Sequence, residues 1–333
     1  MPPFIAGNKR VLYIGLQSAK GTPQTTPTLK IRVRNFNKGD VRQKIELEET
    51  DASTQDGESV VVGVGGSISF EKYLRPSEDD FLWYALLGVN ADSGTNPNFT
   101  HTQSPAVDTP YLTIFEEEPN VWCNRYSDVR VTLGTARGGA GQALGATYTL
   151  EWLDFLAGVT APVSPGNPTS ELPYIYPEVT NTLGASAPGT VDEFELTVAR
   201  GGSRAQGDVG FKSQDYINGK LVVSGTITKF NPADASGDDY MRAIDTGAVA
   251  GTTPTATIYT EALNIKAVRS AQFEVNFDMD EVEYTTRQAD VRTDGSPVIE
   301  VLAFRTPPQP TLAGDITAIY KNAKATPQTT PPA

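Results

Sequence analysis

A chain of 333 residues with 40 acidic and 27 basic side chains, a formal charge of −13, has the length of about two ordinary domains and presents a repelling surface to nucleic-acid phosphates. Its single cysteine, Cys123, and single histidine, His101, exclude an intrachain disulfide and a metal site of paired histidines and cysteines. The first residues lack a signal peptide's apolar core, and no stretch approaches the roughly 20 apolar residues of a membrane span, so the expectation is a soluble chain made in the cytosol with no membrane contact.

Residues 1–28 read as an N-terminal arm, because the prolines of Ala19-Lys-Gly-Thr-Pro-Gln-Thr-Thr-Pro27 favour extended backbone. A first module is expected over 29–155. Apolar and polar residues alternate in Leu29–Val33, Val129–Leu133 and Tyr148–Trp152, the pattern of half-buried strands. Between them, residues 77–88 predict a helix: Ser77 to cap it, Glu78, Asp79 and Asp80 in its first turn, an apolar run, and Gly88 to stop it. The glycine-rich stretch Gly134–Gly145 lacks both the P-loop ending and the dinucleotide spacing, and reads as a hairpin tip. A Pro/Ser/Thr-rich linker follows over 156–189. The second module, 190–305, has strand patterns at Phe194–Val198 and Phe273–Phe277 and a second helix capped by Ser236 and stopped by Gly247. Residues 306–333 form an extended tail in which Ala323–Pro331 repeats eight of the nine residues of Ala19–Pro27.

The chain also matches itself. Residues 54–88 align without a gap with 213–247, at an offset of 159, and nine of 35 positions are identical: 55, 56, 64, 66, 68, 77, 79, 80 and 88. Ordinary composition gives roughly two by chance. A second block, 113–133 against 257–277 at an offset of 144, shares Thr113/Thr257, Ile114/Ile258, Glu117/Glu261, Asn120/Asn264, Arg125/Arg269 and Val131/Val275. Two collinear blocks separated by a loop of variable length predict a duplicated module. The fold expected is mainly β: two tandem β-sandwich or barrel-like modules, each with one short flanking helix.

No catalytic constellation emerges. His101 stands in a polar stretch, 96–103, read as a loop, with no nucleophile elbow near it. The carboxylates of Asp278-Met-Asp-Glu-Val-Glu283 lack EF-hand spacing. Neither an enzyme nor a cofactor is expected. Modules that pack side by side can instead close a ring, three fused chains replacing six single modules, with strand edges as the contacts.

Ile14-Gly-Leu-Gln-Ser18, Gly21-Thr-Pro23, the acidic Glu48-Glu-Thr-Asp51, the strand Val64–Ser69, the helix ending at Gly88, and Thr113-Ile-Phe115 leading to Val129–Leu133 occur in an order that resembles the tail tube proteins of long-tailed bacteriophages. The resemblance covers most of residues 8–155 and recurs in the second half. It implies a virion structural protein, assembled in the host cytoplasm into stacked rings with pseudo-sixfold symmetry. Its implied partners are other copies of itself, a terminator and a tape measure protein, with genomic DNA passing unbound. Carboxylates suit such a channel, since they repel phosphate. Candidate channel-lining or inter-ring residues are Glu46, Glu48, Glu49, Asp51, Glu116, Glu117, Glu118, Asp278, Asp280, Glu281 and Glu283. The segment 37–62 is a candidate for reaching the next ring. The competing reading is a tandem carbohydrate-binding or host-surface adhesin module that uses Trp83, Trp122 and Trp152 as its aromatic platform.

Overall fold

The computed structural model describes residues 10–39, 41–46, 59–165, 171–184, 190–205, 210–230, 235–249, 251–290, 298–308 and 315–327. In chain order the strands of the first half are β1 (Val11–Leu16), β2 (Leu29–Ile31), β3 (Asn35–Lys38), β4 (Arg42–Glu46), β5 (Ser59–Val64) and β6 (Gly66–Tyr73). Helix α1 (Asp79–Leu87) follows, then β7 (Gly88–Thr95), β8 (Asn98–Pro105), β9 (Leu112–Glu118), β10 (Trp122–Gly139), β11 (Gly145–Trp152) and β12 (Asp154–Leu156). The second half has β13 (Val179–Leu183), β14 (Thr190–Ala205), β15 (Asp215–Phe230), helix α2 (Ala235–Thr246), β16 (Thr260–Val268), β17 (Glu274–Asp290), β18 (Ile299–Arg305) and β19 (Thr317–Asn322). The protein is mainly β, as its alternating sequence requires.

One antiparallel main sheet runs through both halves in the order β3, β6, β11, β10, β14, β15, β18, β17. Strands β4 and β5 prolong the β3–β6 hairpin: Gly39 N–H donates to the Ser67 carbonyl at 2.9 Å and Gly65 N–H to that of Val41 at 3.2 Å. Strands β10 and β17 are long enough to serve two sheets. The start of β10 joins β9, β1, β2 and β12 in one flanking sheet, and the start of β17 joins β16, β13 and β19 in another. The C-terminal strand β19 also pairs with β8, which ties the end of the chain to the first half.

Helix α1 is apolar on nearly every side and is buried between layers. Its Trp83 lies 6.4 Å from Tyr148 of the main sheet and 4.7 Å from Phe277 of the second flanking sheet, ring centroid to centroid. One contiguous core therefore includes residues of both halves. Gly88 ends α1 with φ 108° and an N–H bonded to the Tyr84 carbonyl, as the stop signal predicted.

Ser77 does not cap α1. Its hydroxyl donates to Glu171 Oε1 at 2.6 Å and its N–H to Glu171 Oε2 at 3.0 Å, and the residue before the helix, Glu78, makes no side-chain cap. The acidic first turn serves a buried ionic network instead. Lys72 lies 3.0 Å from Asp79 and 3.2 Å from Glu78, and Lys324 lies 2.6 Å from Asp80. Ser236 falls inside the first turn of α2 rather than ahead of it. His101 stands in a strand, not a loop; its ring nitrogens face Asp92 Oδ1 at 2.6 Å and Asn322 Oδ1 at 3.0 Å. Strand β1, inside the segment read as an arm, buries Leu12 and Ile14 completely, and β13 pairs with β16 inside the segment read as a linker.

Along β6, α1, β15 and α2 the repeat offset of 159 carries strand onto strand and helix onto helix: Gly66 onto Gly225, and the last helical residue Leu87 onto Thr246. In the second block the hairpins turn at different places. Asn120 occupies the β9–β10 turn with φ 63°, whereas Asn264 lies within β16.

Candidate assembly surface

The two halves meet edge to edge at β10 and β14, where Leu133–Gly139 ladders with Glu193–Ala199. Thr135 and Thr197 face each other across this junction with hydroxyls 3.3 Å apart. Behind it, Arg200 of β14 reaches over the C-terminal end of α1 and donates to the carbonyls of Leu86 (2.9 Å), Leu87 (2.9 Å) and Ala106 (2.6 Å). A buried guanidinium on the negative end of a helix satisfies carbonyls that the helix itself leaves open.

At its two ends the main sheet stops. Among the described residues, β3 and β4 ladder only with β6 and β5, and the Thr286–Asp290 stretch of β17 only with β18. Unpaired edges of this length are templates for another strand. The β4–β5 ribbon also exposes Ile45 (48%) and Val60 (42%), more apolar surface than a solvated hairpin needs.

One face of the main sheet packs on the core, as the strict alternation of β6 and β11 shows. The opposite face is polar. A single cross-strand row runs over all eight strands: Asn35, Glu71, Thr147, Thr135, Thr197, Ser224, Arg305 and Glu283. Around it stand Ser67, Ser69, Thr149, Glu151, Glu193, Glu195, Thr226 and Thr228. Hydroxyls therefore dominate this face; of its carboxylates Glu71, Glu151 and Glu283 are paired with Arg137, Arg204 and Arg305, while Glu193 and Glu195 are exposed. The sequence carries a trace of it in the alternating Ser67/Ser69, Thr147/Thr149 and Thr226/Thr228. The row itself exists only through register.

The structure distributes the acidic candidates widely. Glu283 sits in the polar row, paired with Arg305. Asp280 is exposed where β17 passes between sheets, and Asp278 accepts from Asn264 Nδ2 at 3.2 Å. Glu281 is half-buried nearby. Glu116 is fully buried in β9, where it binds Arg10 at 3.2 Å and Lys38 at 3.6 Å and accepts from the Tyr126 hydroxyl at 2.7 Å. Glu117 is on the other face of β9; burial and a hydrogen bond to Glu117 push the Tyr13 hydroxyl up to about 12. Glu118 is buried. Glu46 ends β4 with a side chain outside the described residues, and Glu48, Glu49 and Asp51 also lie outside them.

Trp83 and Trp152 are fully buried and offer no ligand platform, while Trp122 is half-buried beneath Arg10, 5.4 Å from its ring. Burial and the nearby Glu117 and Glu116 raise the Cys123 thiol to about 11, the behaviour of an inert core cysteine. Among the described residues no helix is long and apolar enough to cross a membrane. A family model described as Phage tail tube protein matches residues 7–318. No curated protein matches the chain.

Proposed function

The chain belongs to the phage tail tube protein family, and from that premise we propose that three copies close a ring and that stacked rings form the channel for the genome. The observation that carries the ring is the β10–β14 junction, a module-to-module contact already made inside one chain between edges whose counterparts are left open at the two ends of the sheet. In the ring, β17 of each copy ladders with β3 and β4 of the next. The in-chain pairing transfers directly. Gly134 lies opposite Val198, and the corresponding positions are Ala289 in β17 and Arg42 in β4, so Arg42 of one copy faces Ala289 of its neighbour.

The hydroxyl-rich, weakly acidic face of the main sheet lines the channel. Hydroxyls stay hydrated, and the exposed Glu193 and Glu195 repel phosphate, so DNA slides without the counterion release that a basic lining would reward. Asp280 and the acidic residues Glu46, Glu48, Glu49 and Asp51 serve contacts between rings. Catalysis has no part in this role. The protein acts in the virion tail, after assembly in the host cytoplasm, with a terminator and a tape measure protein as its other tail partners.

Arg42→Pro tests the edge. Gly65 N–H bonds the Val41 carbonyl, so the alternation of an antiparallel ladder turns the Arg42 N–H away from β5, toward the open side. Proline there removes an outward donor and spares the hairpin. The expected result is a folded monomer that forms no tubes at concentrations where the wild type and Arg42→Ala polymerise, scored by negative-stain electron microscopy. Tubes from Arg42→Pro would contradict ring closure through this edge.

A further inference from the structure

We infer that the Lys72 amine and the Asp79 carboxyl join in an intramolecular amide, with Glu78 as the base that takes the proton and Tyr148 as the donor that polarises the carbonyl. The bond needs one folded chain and no neighbour, so it stands apart from the ring reading above.

The fold delivers the reactants. Alternation along β6 buries Ile68 and Phe70, and Lys72 takes the next core-facing position, so its amine enters the core with them. The turn after β6 brings Glu78 and Asp79 over that amine at the start of α1. Lys72 Nζ stands 3.0 Å from Asp79 Oδ2 and 3.2 Å from Glu78 Oε2. The Arg75 N–H donates to Asp79 Oδ2 at 2.7 Å, and the Tyr148 hydroxyl donates to Asp79 Oδ1 at 2.8 Å. Glu78 Oε2 is buried and accepts no hydrogen bond among the described residues, which leaves a lone pair open beside the ammonium.

The surroundings divide the acid and base roles. Burial raises the Asp79 carboxyl and favours its protonated form, the electrophile that amide formation needs. At Glu78 burial is outweighed by Lys72 and then by Arg32, whose Nε donates to Oε1 at 2.8 Å, and the group stays a carboxylate. Two neighbouring carboxyls pushed in opposite directions mark an acid and a base. Burial also holds the Tyr148 hydroxyl well above its ordinary value, so it remains a donor. Lys72, Glu78, Asp79 and Tyr148 are at most 1% exposed, and the site excludes the water that would reverse the reaction.

The atoms balance without a co-reactant. The Lys72 ammonium gives one proton to Glu78, and the free amine adds to Asp79 Cγ. Negative charge gathers on Oδ1, where the Tyr148 hydroxyl stabilises it. Glu78 passes its proton to the Oδ2 hydroxyl, the Cγ–Oδ2 bond breaks, and one water departs. The nitrogen then gives its second proton to Glu78, which ends protonated beside a neutral amide. Because Arg32 and Lys72 hold Glu78 in its charged form, the first transfer is uphill and the bond closes more slowly than the chain folds; freshly folded protein keeps the ion pair. In a chain whose single cysteine excludes an internal disulfide, the amide pins β6 covalently to α1, the helix packed between the two halves.

The test is intact-mass spectrometry with tryptic mapping of the full-length chain, freshly folded and after prolonged incubation at neutral pH. The aged protein should be lighter by one water and uncut after Lys72, and the peptide spanning that site should give no fragment ions between Lys72 and Asp79. Glu78→Gln keeps both reactants and should form the bond at least about 100-fold more slowly, the usual weight of a positioned base. Asp79→Ala should never form it. Lys324 meets Asp80 at 2.6 Å, but its other Nζ partner is the Pro327 carbonyl; with no second carboxylate to take its proton, it should remain unlinked. Full mass in both fresh and aged wild type overturns the proposal. A loss of water confined to Asp79-Asp80, with Lys72 still open to trypsin, is a cyclic imide and overturns it too. Equal rates in the wild type and Glu78→Gln would overturn the chemistry assigned to Glu78.

Discussion

Replacing Lys72 with methionine is expected to destabilise the folded chain by about 3–5 kcal/mol at neutral pH, the usual cost of removing one partner from a buried ion pair. Lys72, Glu78 and Asp79 have side chains no more than 1% exposed, and Lys72 lies 3.2 and 3.0 Å from the two carboxylates. Glu78 keeps a second cation in Arg32, which is 37% exposed. Burial pushes the Glu78 carboxyl up, but Lys72 and then Arg32 outweigh it and hold Glu78 below the usual range. For Asp79 burial wins, even against the charge of Lys72 and the N–H of Arg75, and its carboxyl is raised.

Without Lys72, Asp79 loses its main attraction and rises further. A carboxyl whose folded value lies above its unfolded one stabilises the fold fully below the unfolded value, here the ordinary 3.8, and that contribution is lost as pH rises through the folded value. The deficit of Lys72→Met should therefore be smallest near pH 4, where a protonated Asp79 still accepts from the Tyr148 hydroxyl, 2.8 Å away. Urea unfolding of both proteins at pH 4 and pH 7 checks this. A deficit below 1 kcal/mol, or one independent of pH, would contradict the role given to Lys72.

Trp83→Ala is expected to cost a similar amount, about 3–5 kcal/mol, through lost transfer energy and the cavity left behind. Trp83 is fully buried, and its indole N–H has no hydrogen-bond partner among the described residues, so packing carries its contribution. Its ring lies between Tyr148 of the first half and Phe277 of the second, which makes it a joint between the halves. Trp83→Phe should recover more than half of the loss by refilling most of the volume. Equilibrium denaturation of the two variants reads both effects. Equal losses for Ala and Phe would show that the ring's volume is not what matters there.

Strands and both helices were readable because alternation and a glycine stop are local signals. The Gly88 stop held for that reason, while the Ser77 cap did not: Glu171, 94 residues away in sequence, takes the serine's N–H and hydroxyl. The first repeat block carried its elements with it. In the second, the turn regions 119–121 and 269–273 stand 150 to 152 apart rather than 144. The turn centres, 120 and 271, are 151 apart, and a slip of seven residues exchanges the inside and outside positions of a strand, so the identities in this block do not mark equivalent places in the fold.

The candidate surface was less legible for a related reason. Clustered carboxylates stand out in a sequence, yet Glu116 proves to brace Arg10 and Lys38 inside the fold. The polar row draws one residue from each of eight strands, from Asn35 to Arg305, and nothing local marks those residues as neighbours. His101 was equally hidden. Its stretch is polar because β8 meets β19 through hydrogen-bonding side chains, among them Asn322 near the other end of the chain.

High-resolution electron microscopy of the assembled tube tests the central claim most directly. The account predicts three chains per ring, β17 of each laddered with β3 and β4 of the next, and the row from Asn35 to Glu283 facing the channel. Six chains per ring with their second halves outside, or a channel lined mainly by lysine and arginine, would contradict it.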